Sequence, residues 1–296
     1  MQHPIKAPTN KRVDATVPKL RPALRAAVFT AGILLVSALI AGCGGGDSTS
    51  SSATAPGTPF KGRAVIQVNL QAPIPPDLLI LVSKVLQARF TAASVDAQIS
   101  APSDKQFTID FAGALSEDFV TQLLITHGVQ FKVPQLNNTQ IKCKDTSGNE
   151  FDIDVTRLQQ AGDLPVCASN GGGQGQIEWQ PATAKLGGVD TQLSGVMITP
   201  DHVLTKTDAN GAEVLDAQFN SDGTTILQEV STALVNYPLG VFLDDTLLMA
   251  PLVKRPITNG QITLAGASPD GMKELYAILK SGGLPAAVSL VSIGLK

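Results

Sequence analysis

The sequence is poor in the residues from which metal centres and active sites are usually built. Its 296 residues include only three histidines and three cysteines. The histidines are scattered and there is no Cys-x-x-Cys pair, so a zinc site is not expected. The Gly-x-Ser-x-Gly, Ser-x-x-Lys and His-Glu-x-x-His signatures are also missing. The sequence therefore predicts no catalytic residue, no metal and no cofactor, and an undetected hydrolase is the least favoured interpretation.

Basic charge is scarce beyond the N-terminus. The chain has 22 Lys and Arg against 25 Asp and Glu, a net charge of -3. Residues 1–42 contain six of the basic residues and one acidic residue, so the remainder has 16 basic against 24 acidic residues, a net charge of -8. Nucleic-acid binders usually present a basic face. We therefore expect no nucleic-acid partner, although an apolar content of 43% is ample for a hydrophobic core.

The N-terminus has the pattern of a bacterial lipoprotein signal. A basic stretch precedes seventeen uncharged residues, Ala26 to Gly42, whose small C-terminal residues run directly into Cys43. In such signals the cysteine becomes the first mature residue and receives the lipid. We predict a signal peptide over residues 1–42, lipidation of Cys43, and a cell-membrane location on the extracytoplasmic face. The alternative is an uncleaved transmembrane anchor, for which seventeen residues is short.

Residues 43–61 are dominated by Gly, Ser, Thr, Ala and Pro, a composition that predicts a flexible tether. Lipidation of Cys43 would leave Cys143 and Cys167 as a pair in a compartment where disulfides persist. We predict that these two cysteines form a disulfide inside a polar insert, residues 134–190. Two buried free thiols are the alternative.

Hydrophobic periodicity predicts the order β-α-β-β-α-β within residues 62–133. This order is typical of a ferredoxin-like unit, in which two helices cover one face of an antiparallel sheet. The expected strands are Ala64 to Leu70, Val95 to Ile99, Phe107 to Phe111 and Val129 to Val133. The first helix is expected to follow Pro75 and Pro76, and the second to be capped by Ser116 and to end at Gly128.

A second set of elements is predicted in residues 191–285, followed by a last strand in 286–296. Strands are expected at Val196 to Lys206, Ala212 to Phe219 and Gln261 to Leu264, and a hairpin at Leu239 to Met249. One helix should be capped by Asn220 or Ser221, and another should run from Ser268 to Gly282.

Three local features could be functional, but each has a simpler interpretation. Asp244 and Asp245 could form a metal or acid–base pair, yet a hairpin turn accounts for them. His127 is favoured as a helix-terminal rather than a catalytic residue. The glycine run at 171–175 is followed by no Lys-Ser/Thr, so a loop is favoured over a phosphate site.

The C-terminal stretch carries a family resemblance. Residues Leu239 to Pro251, Pro256 to Gly266 and Ile278 to Pro285 resemble, in order and spacing, the first large extracytoplasmic domain of the SecD subunit of the protein-export translocon. Phe219 to Gly223 and the segment from Val82 to Val133, with Arg89, are also similar to that family, so the resemblance covers about residues 63–296. The sequence departs from the family pattern in three places. The turn is Asp244-Asp245 where the family has Asp-Gly, and the insert at 134–190 has no match in the family. The sequence ends at Lys296, near where the family chain enters the membrane.

The resemblance implies an α+β fold, in which a ferredoxin-like base (62–133 with the return strand 286–296) carries an inserted α+β head (191–285). It also implies contact with unfolded or translocating polypeptide or with the Sec translocon, through a head that tilts against the base. Gly282, Gly283 and Pro285 lie where the chain returns to the base, and we expect them to act as a hinge, because glycine permits unusual dihedrals and proline fixes the chain direction. Without the SecD membrane helices, we expect no proton-driven pulling by this polypeptide alone. The alternative is an envelope lipoprotein that reuses the fold as a ligand-binding or structural scaffold.

Overall fold

The structure is a computed structural model that describes residues 60–70, 75–101, 105–161, 164–169, 173–209 and 211–295. The predicted signal peptide, Cys43 and nearly all of the tether lie outside these ranges. Within them, no helix has the length and apolar character needed to cross a membrane.

The described ranges contain four α-helices and three short 3-10 turns. The helices are α1 (Pro76–Ala92), α2 (Glu117–Ile125), α3 (Ser221–Ala233) and α4 (Pro269–Ser281), and the 3-10 turns are Val155–Arg157, Gly195–Met197 and Pro200–His202. Ser116, Asn220 and Ser268 each accept a hydrogen bond from a backbone N–H in the first turn of α2, α3 and α4. The predicted starts of these helices are therefore confirmed.

The first sheet and the two N-terminal helices form what we call the α1–α2 unit. Its strands are β1 (Gly62–Val68), β2 (Ala97–Ser100), β3 (Gln106–Phe111) and β19 (Val288–Leu295), in the antiparallel order β19-β1-β3-β2. Alternate residues of β1 and β3 are buried in one core with Leu86, Phe90 and Leu123 of the helices. Gly62 is required at the strand end, because a Cβ there would lie 2.2 Å from the ring of Phe111.

The prediction that Val129 to Val133 closes this sheet is wrong. The segment forms β4 (Val129–Pro134), which pairs with β11 (Trp179–Pro181) and β16 (Gly240–Leu243) in a different sheet. The fourth strand beside β1 is β19 instead. Alternation in a sequence identifies a strand but not its partner, and the buried side chains of Val129 and Phe131 find their core among distant residues.

The second large core belongs to what we call the α3–α4 unit. Besides β4, β11 and β16 it contains β12 (Thr183–Leu186), β13 (Val189–Gln192), β14 (Leu204–Thr207), β15 (Glu213–Gln218), β17 (Thr246–Met249) and β18 (Gln261–Leu264). These strands form the sheets β11-β4-β16-β17 and β14-β15-β18 and the hairpin β12-β13. The predicted strand from Val196 to Lys206 is mostly wrong, because two 3-10 turns occupy its first part and Pro200 begins the second of them.

The insert between β4 and β11, which we call the disulfide unit, folds into a small sheet of its own. Its strands are β5 (Leu136–Asn137), β6 (Gln140–Asp145), β7 (Glu150–Ile153), β8 (Leu158–Ala161), β9 (Leu164–Ala168) and β10 (Gln174–Ile177). The predicted disulfide is present between Cys143 and Cys167, whose Cα atoms are 6.3 Å apart. Both cysteines are buried with Ile141, Ile153 and Ile177, so this polar segment has a core that its composition did not reveal.

Candidate functional site

Helix α4 packs into the two large cores at once. Leu275 and Leu279 on one side of the helix belong to the core of the α3–α4 unit. Ala277, on another side, is fully buried in the core of the α1–α2 unit. The helix therefore forms much of the junction between the two units.

A fully buried arginine ties this junction together. Arg89 on α1 donates hydrogen bonds from Nη1 to the carbonyl oxygen of Leu123 at 2.9 Å, from Nε to Ser281 Oγ at 3.3 Å, and from Nη2 to the carbonyl oxygen of Gly282 at 3.4 Å. Its three bonds join α1, α2 and the end of α4. Burial lowers the pKa of Arg89 to about 10, against the opposing effect of Asp244, so the side chain remains charged at neutral pH.

The two chain passages between the units run side by side at the end of α4. The outward passage follows α2 through His127 and Gly128, and the backbone N–H of Leu284 on the return passage donates to the carbonyl oxygen of His127 at 2.9 Å. Gly282 has φ of +80°, which favours glycine. A Cβ on Gly283 would lie 3.0 Å from the His127 oxygen, so the close crossing also favours glycine there. The structure thus places the predicted hinge residues Gly282 and Gly283 at this crossing, with Pro285 two residues after Gly283.

Asp244 reaches the crossing from the β16–β17 hairpin. Its carboxylate accepts hydrogen bonds from the backbone N–H groups of His127 at 3.0 Å and Gly128 at 3.2 Å, and His127 Nδ1 lies 3.5 Å from it. The predicted turn is confirmed, since Asp244 has φ of +49° between the paired strands. Its contact with the outward passage was missed, because nothing in the local sequence signals a partner 117 positions away.

Asp245 points to a different partner, so the two adjacent carboxylates do not converge. Its side chain forms an ion pair with Lys132 at 3.2 Å and is almost completely exposed. In the described ranges, no group of three or more His, Cys, Asp or Glu side chains is placed to hold a metal ion. The described contacts at the junction are hydrogen bonds and apolar packing.

The α3–α4 unit also has an apolar groove of about 410 Å³ beside β18. Among the strands of the described ranges, β18 lies at the edge of its sheet. The groove is lined by Leu239, Val241, Leu252, Val253, Ile257 and Ile262, among other residues. Leu252 is 53% exposed, and the exposed Lys254 and Arg255 also line the groove. No local pattern in the sequence located this groove, because its lining comes from separate segments between residues 239 and 264.

A larger groove of about 1120 Å³ lies between α1 and α4. Its walls include Lys84 and Ala88 of α1 and Lys273, Tyr276 and Lys280 of α4. This groove therefore marks the side of the junction where the two units are not packed together.

Comparison with known proteins supports the resemblance seen in the sequence. Residues 181–286 match the family model of the SecDF P1 head subdomain. Protein translocase subunit SecD of Acidaminococcus fermentans is 34% identical over 85 residues, which are 28% of this chain and 20% of the relative. SecD of Rickettsia bellii is 33% identical over 85 residues, 28% of this chain and 16% of the relative. The chain thus matches a fifth or less of the length of these relatives.

Solved structures of SecDF share the fold. The crystal structure of SecDF in its super-membrane-facing form has a TM-score of 0.51 at 19% identity, over 81% of this chain and 32% of that chain. A structure described as that of a membrane component SecDF that enhances protein export has a TM-score of 0.50 at 19% identity, over 78% of this chain and 98% of that chain. The resemblance to the first extracytoplasmic domain of SecD and SecDF is confirmed.

Proposed function

We propose that this protein assists protein export as a non-enzymatic extracytoplasmic module that holds unfolded or translocating polypeptide. The SecD relatives imply a role in protein export. The fold of this chain is also similar to that of a SecDF structure. In this proposal the lipid on Cys43 anchors the protein to the membrane, and the Sec translocon is the expected neighbour. Loss of radiolabelled lipid in the variant Cys43→Ser tests the anchor, and unchanged labelling would refute it.

The observation that carries the proposal is the apolar groove beside β18. An edge strand offers backbone hydrogen bonds that do not depend on sequence, and neighbouring apolar pockets accept side chains of an added strand. Lys254 and Arg255 add positive charge beside this groove, although the mature protein has a net negative charge. Such a surface suits extended polypeptide of varied sequence better than a folded partner or a small polar ligand.

We further propose that the α1–α2 unit is a ferredoxin-like base and the α3–α4 unit an inserted head. The sheet order β19-β1-β3-β2, with α1 and α2 packed on its strands, supports this interpretation. The head and the disulfide unit then lie between α2 and β19 in the chain. Head and base are joined by two passages that cross at His127 and Gly283, and we propose that the head tilts about this crossing.

A polypeptide-capture experiment tests the groove. Full chain in detergent is photo-crosslinked to a permanently unfolded probe, reduced and carboxymethylated α-lactalbumin. We expect Leu252→Asp to reduce the crosslinked fraction several-fold, because it places a charge in the groove at an exposed position that contributes little to the core. Val189→Asp is the matched control, since Val189 is 68% exposed and does not line the groove. Equal capture by the two variants, or no capture by the unmodified protein, would contradict the proposal.

The scaffold alternative is favoured by one observation, the three hydrogen bonds of Arg89. They connect both helices of the base with the end of α4, and a rigid junction is what a structural lipoprotein would need. Under this alternative the groove would have no role and head movement would be unnecessary.

A further inference from the structure

A largely buried glutamate lies where α4 packs against the α1–α2 unit. Glu274 is only 8% exposed and stands one turn before Ala277, which belongs to the core of that unit. In the described part of the chain, neither an ion pair nor a side-chain hydrogen bond engages its carboxylate, and no fully buried side-chain oxygen there lacks a partner, so the carboxylate oxygens of Glu274 keep some contact with solvent. A glutamate is rarely buried without such a partner, because removing its charge from water is costly.

Two neighbouring carboxylates make the ionisation of Glu274 harder. Asp270, one turn earlier on α4, and Asp118, in the first turn of α2, both act on it with like charge. Arg89 of α1 is engaged by Leu123, Ser281 and Gly282 instead. Lys84 of α1 and Lys273 and Lys280 of α4 line the neighbouring groove.

The remaining elements packed on α4 supply no compensating cation. Their charged groups are Glu213 and Asp216 on β15, Asp201 and His202 in the turn Pro200–His202, and Lys132 on β4. Asp216 is paired with Lys206, and Lys132 is paired with Asp245. Within the described residues, none of these groups forms an ion pair with Glu274.

Burial, and then the charges of Asp270 and Asp118, raise the pKa of Glu274 to about 7 from an ordinary value of 4.5. A carboxyl whose pKa is raised in the packed state favours packing while it is protonated. That contribution is complete below about pH 4.5 and is lost as the pH rises through about 7.

We propose that Glu274 makes the packing of α4 against α2 sensitive to pH, so that protonation holds the head against the base and deprotonation loosens it. At alkaline pH the buried charge of Glu274 is repelled by Asp118 across the contact. This inference rests on the proposed function in one respect: the movement that Glu274 regulates is the head movement proposed for holding polypeptide.

The size of the effect follows from proton linkage. If Glu274 reaches water when the contact opens, pKa values of 4.5 open and about 7 packed change the packing equilibrium by at most about 25-fold between pH 5.5 and pH 8. The side chain keeps some contact with solvent, so the measured change should be smaller than this bound.

Hydrogen–deuterium exchange on the full chain in detergent tests the inference. Rates at pH 5.5 and 8 are corrected for the intrinsic pH dependence of exchange. Peptides covering residues 117–125 and 269–281 should exchange several-fold faster at pH 8, while those from β6 and β7 should not. Glu274→Gln should abolish the pH step, because glutamine does not ionise.

Glu229→Gln is the matched control, since Glu229 is an exposed residue of α3 and its replacement should leave the step intact. If Glu274→Gln does not fold, the exposed Asp118→Asn variant replaces it and should shrink the step by weakening the repulsion. A step that persists in Glu274→Gln, or its absence from the unmodified protein, would overturn the inference. The exchange experiment contains no polypeptide probe, so a step removed by Glu274→Gln supports the inference even if capture fails.

Discussion

At the residue scale, the clearest case is the pair Asp244 and Asp245, which are neighbours in sequence but have different surroundings. The carboxylate of Asp244 accepts hydrogen bonds from the backbone N–H groups of His127 and Gly128, whereas Asp245 is 97% exposed and forms an ion pair with Lys132. The sequence indicates a turn for both residues and cannot distinguish their roles. The difference arises because the chain reverses direction at this turn. Asp244 then lies beside His127 and Gly128, while Asp245 lies beside Lys132.

This contrast makes a direct prediction for stability. Asp244→Ala should lower the free energy of unfolding by about 2 kcal/mol, because it leaves two backbone N–H groups without their acceptor and places alanine at positive φ. Asp245→Ala should change it by less than about 0.5 kcal/mol, since an exposed ion pair contributes little. Urea unfolding of the two variants measures both values. Equal losses would mean that the Asp244 contacts do not stabilise the crossing.

Arg89 shows a different limit of sequence reasoning. Its position was singled out only through the family resemblance, since a lone arginine in an amphipathic helix is normally exposed. The structure buries it completely, with three acceptors from α2 and the end of α4. Those acceptors are supplied by segments up to 193 positions away, which no local pattern can anticipate.

At the element scale, local signals predicted the helices well and the strand partners poorly. Ser116, Asn220 and Ser268 mark the helix starts because an N-cap acts within four residues. The hairpin β16–β17 was also predicted, because its turn is short. The partner of β4 was assigned wrongly, since pairing depends on contacts with residues more than 100 positions away. The strands of the disulfide unit were missed because most are short and separated by polar turns.

The disulfide unit gives the prediction that belongs to this scale. Its small core should make it depend on the Cys143–Cys167 bond more than the α1–α2 unit does. The bond closes a loop of 24 positions, for which the chain-entropy model gives about 3 kcal/mol. Hydrogen exchange of the double variant Cys143→Ser, Cys167→Ser should accelerate in β6 to β10, with little change in β1 and β3. Uniform acceleration throughout the chain would show instead that the units unfold together.

At the scale of the whole molecule, the packing at the junction restrains the two large units, whereas the chain connection between them is narrow. Helix α4 and Arg89 hold the α3–α4 unit against the α1–α2 unit, while two chain passages in the described ranges join the units and cross beside Gly283. Our proposal accounts for both the tight packing and the narrow connection if the units exist in a packed and an opened state. In the proposal, the protonation of Glu274 sets the balance between these two states. The sequence leads us to predict Gly282 and Gly283 as hinges, a prediction still to be tested, but it does not reveal that Arg89 and Glu274 are buried at the junction.

We propose that the head must move on the base to hold polypeptide, and a crosslink across the junction between the two units tests this requirement. Cysteines introduced at Ala88 and Lys280, on opposite walls of the groove between α1 and α4, can be joined by a flexible bis-maleimide. This linkage leaves the native disulfide oxidised. The same double variant treated with N-ethylmaleimide is the unlocked control, and circular dichroism confirms that both forms remain folded.

We predict that the locked protein loses most of its capture of the unfolded α-lactalbumin probe, while the unlocked control captures it as well as the unmodified chain does. Equal capture by the locked and unlocked forms would contradict the requirement for head movement.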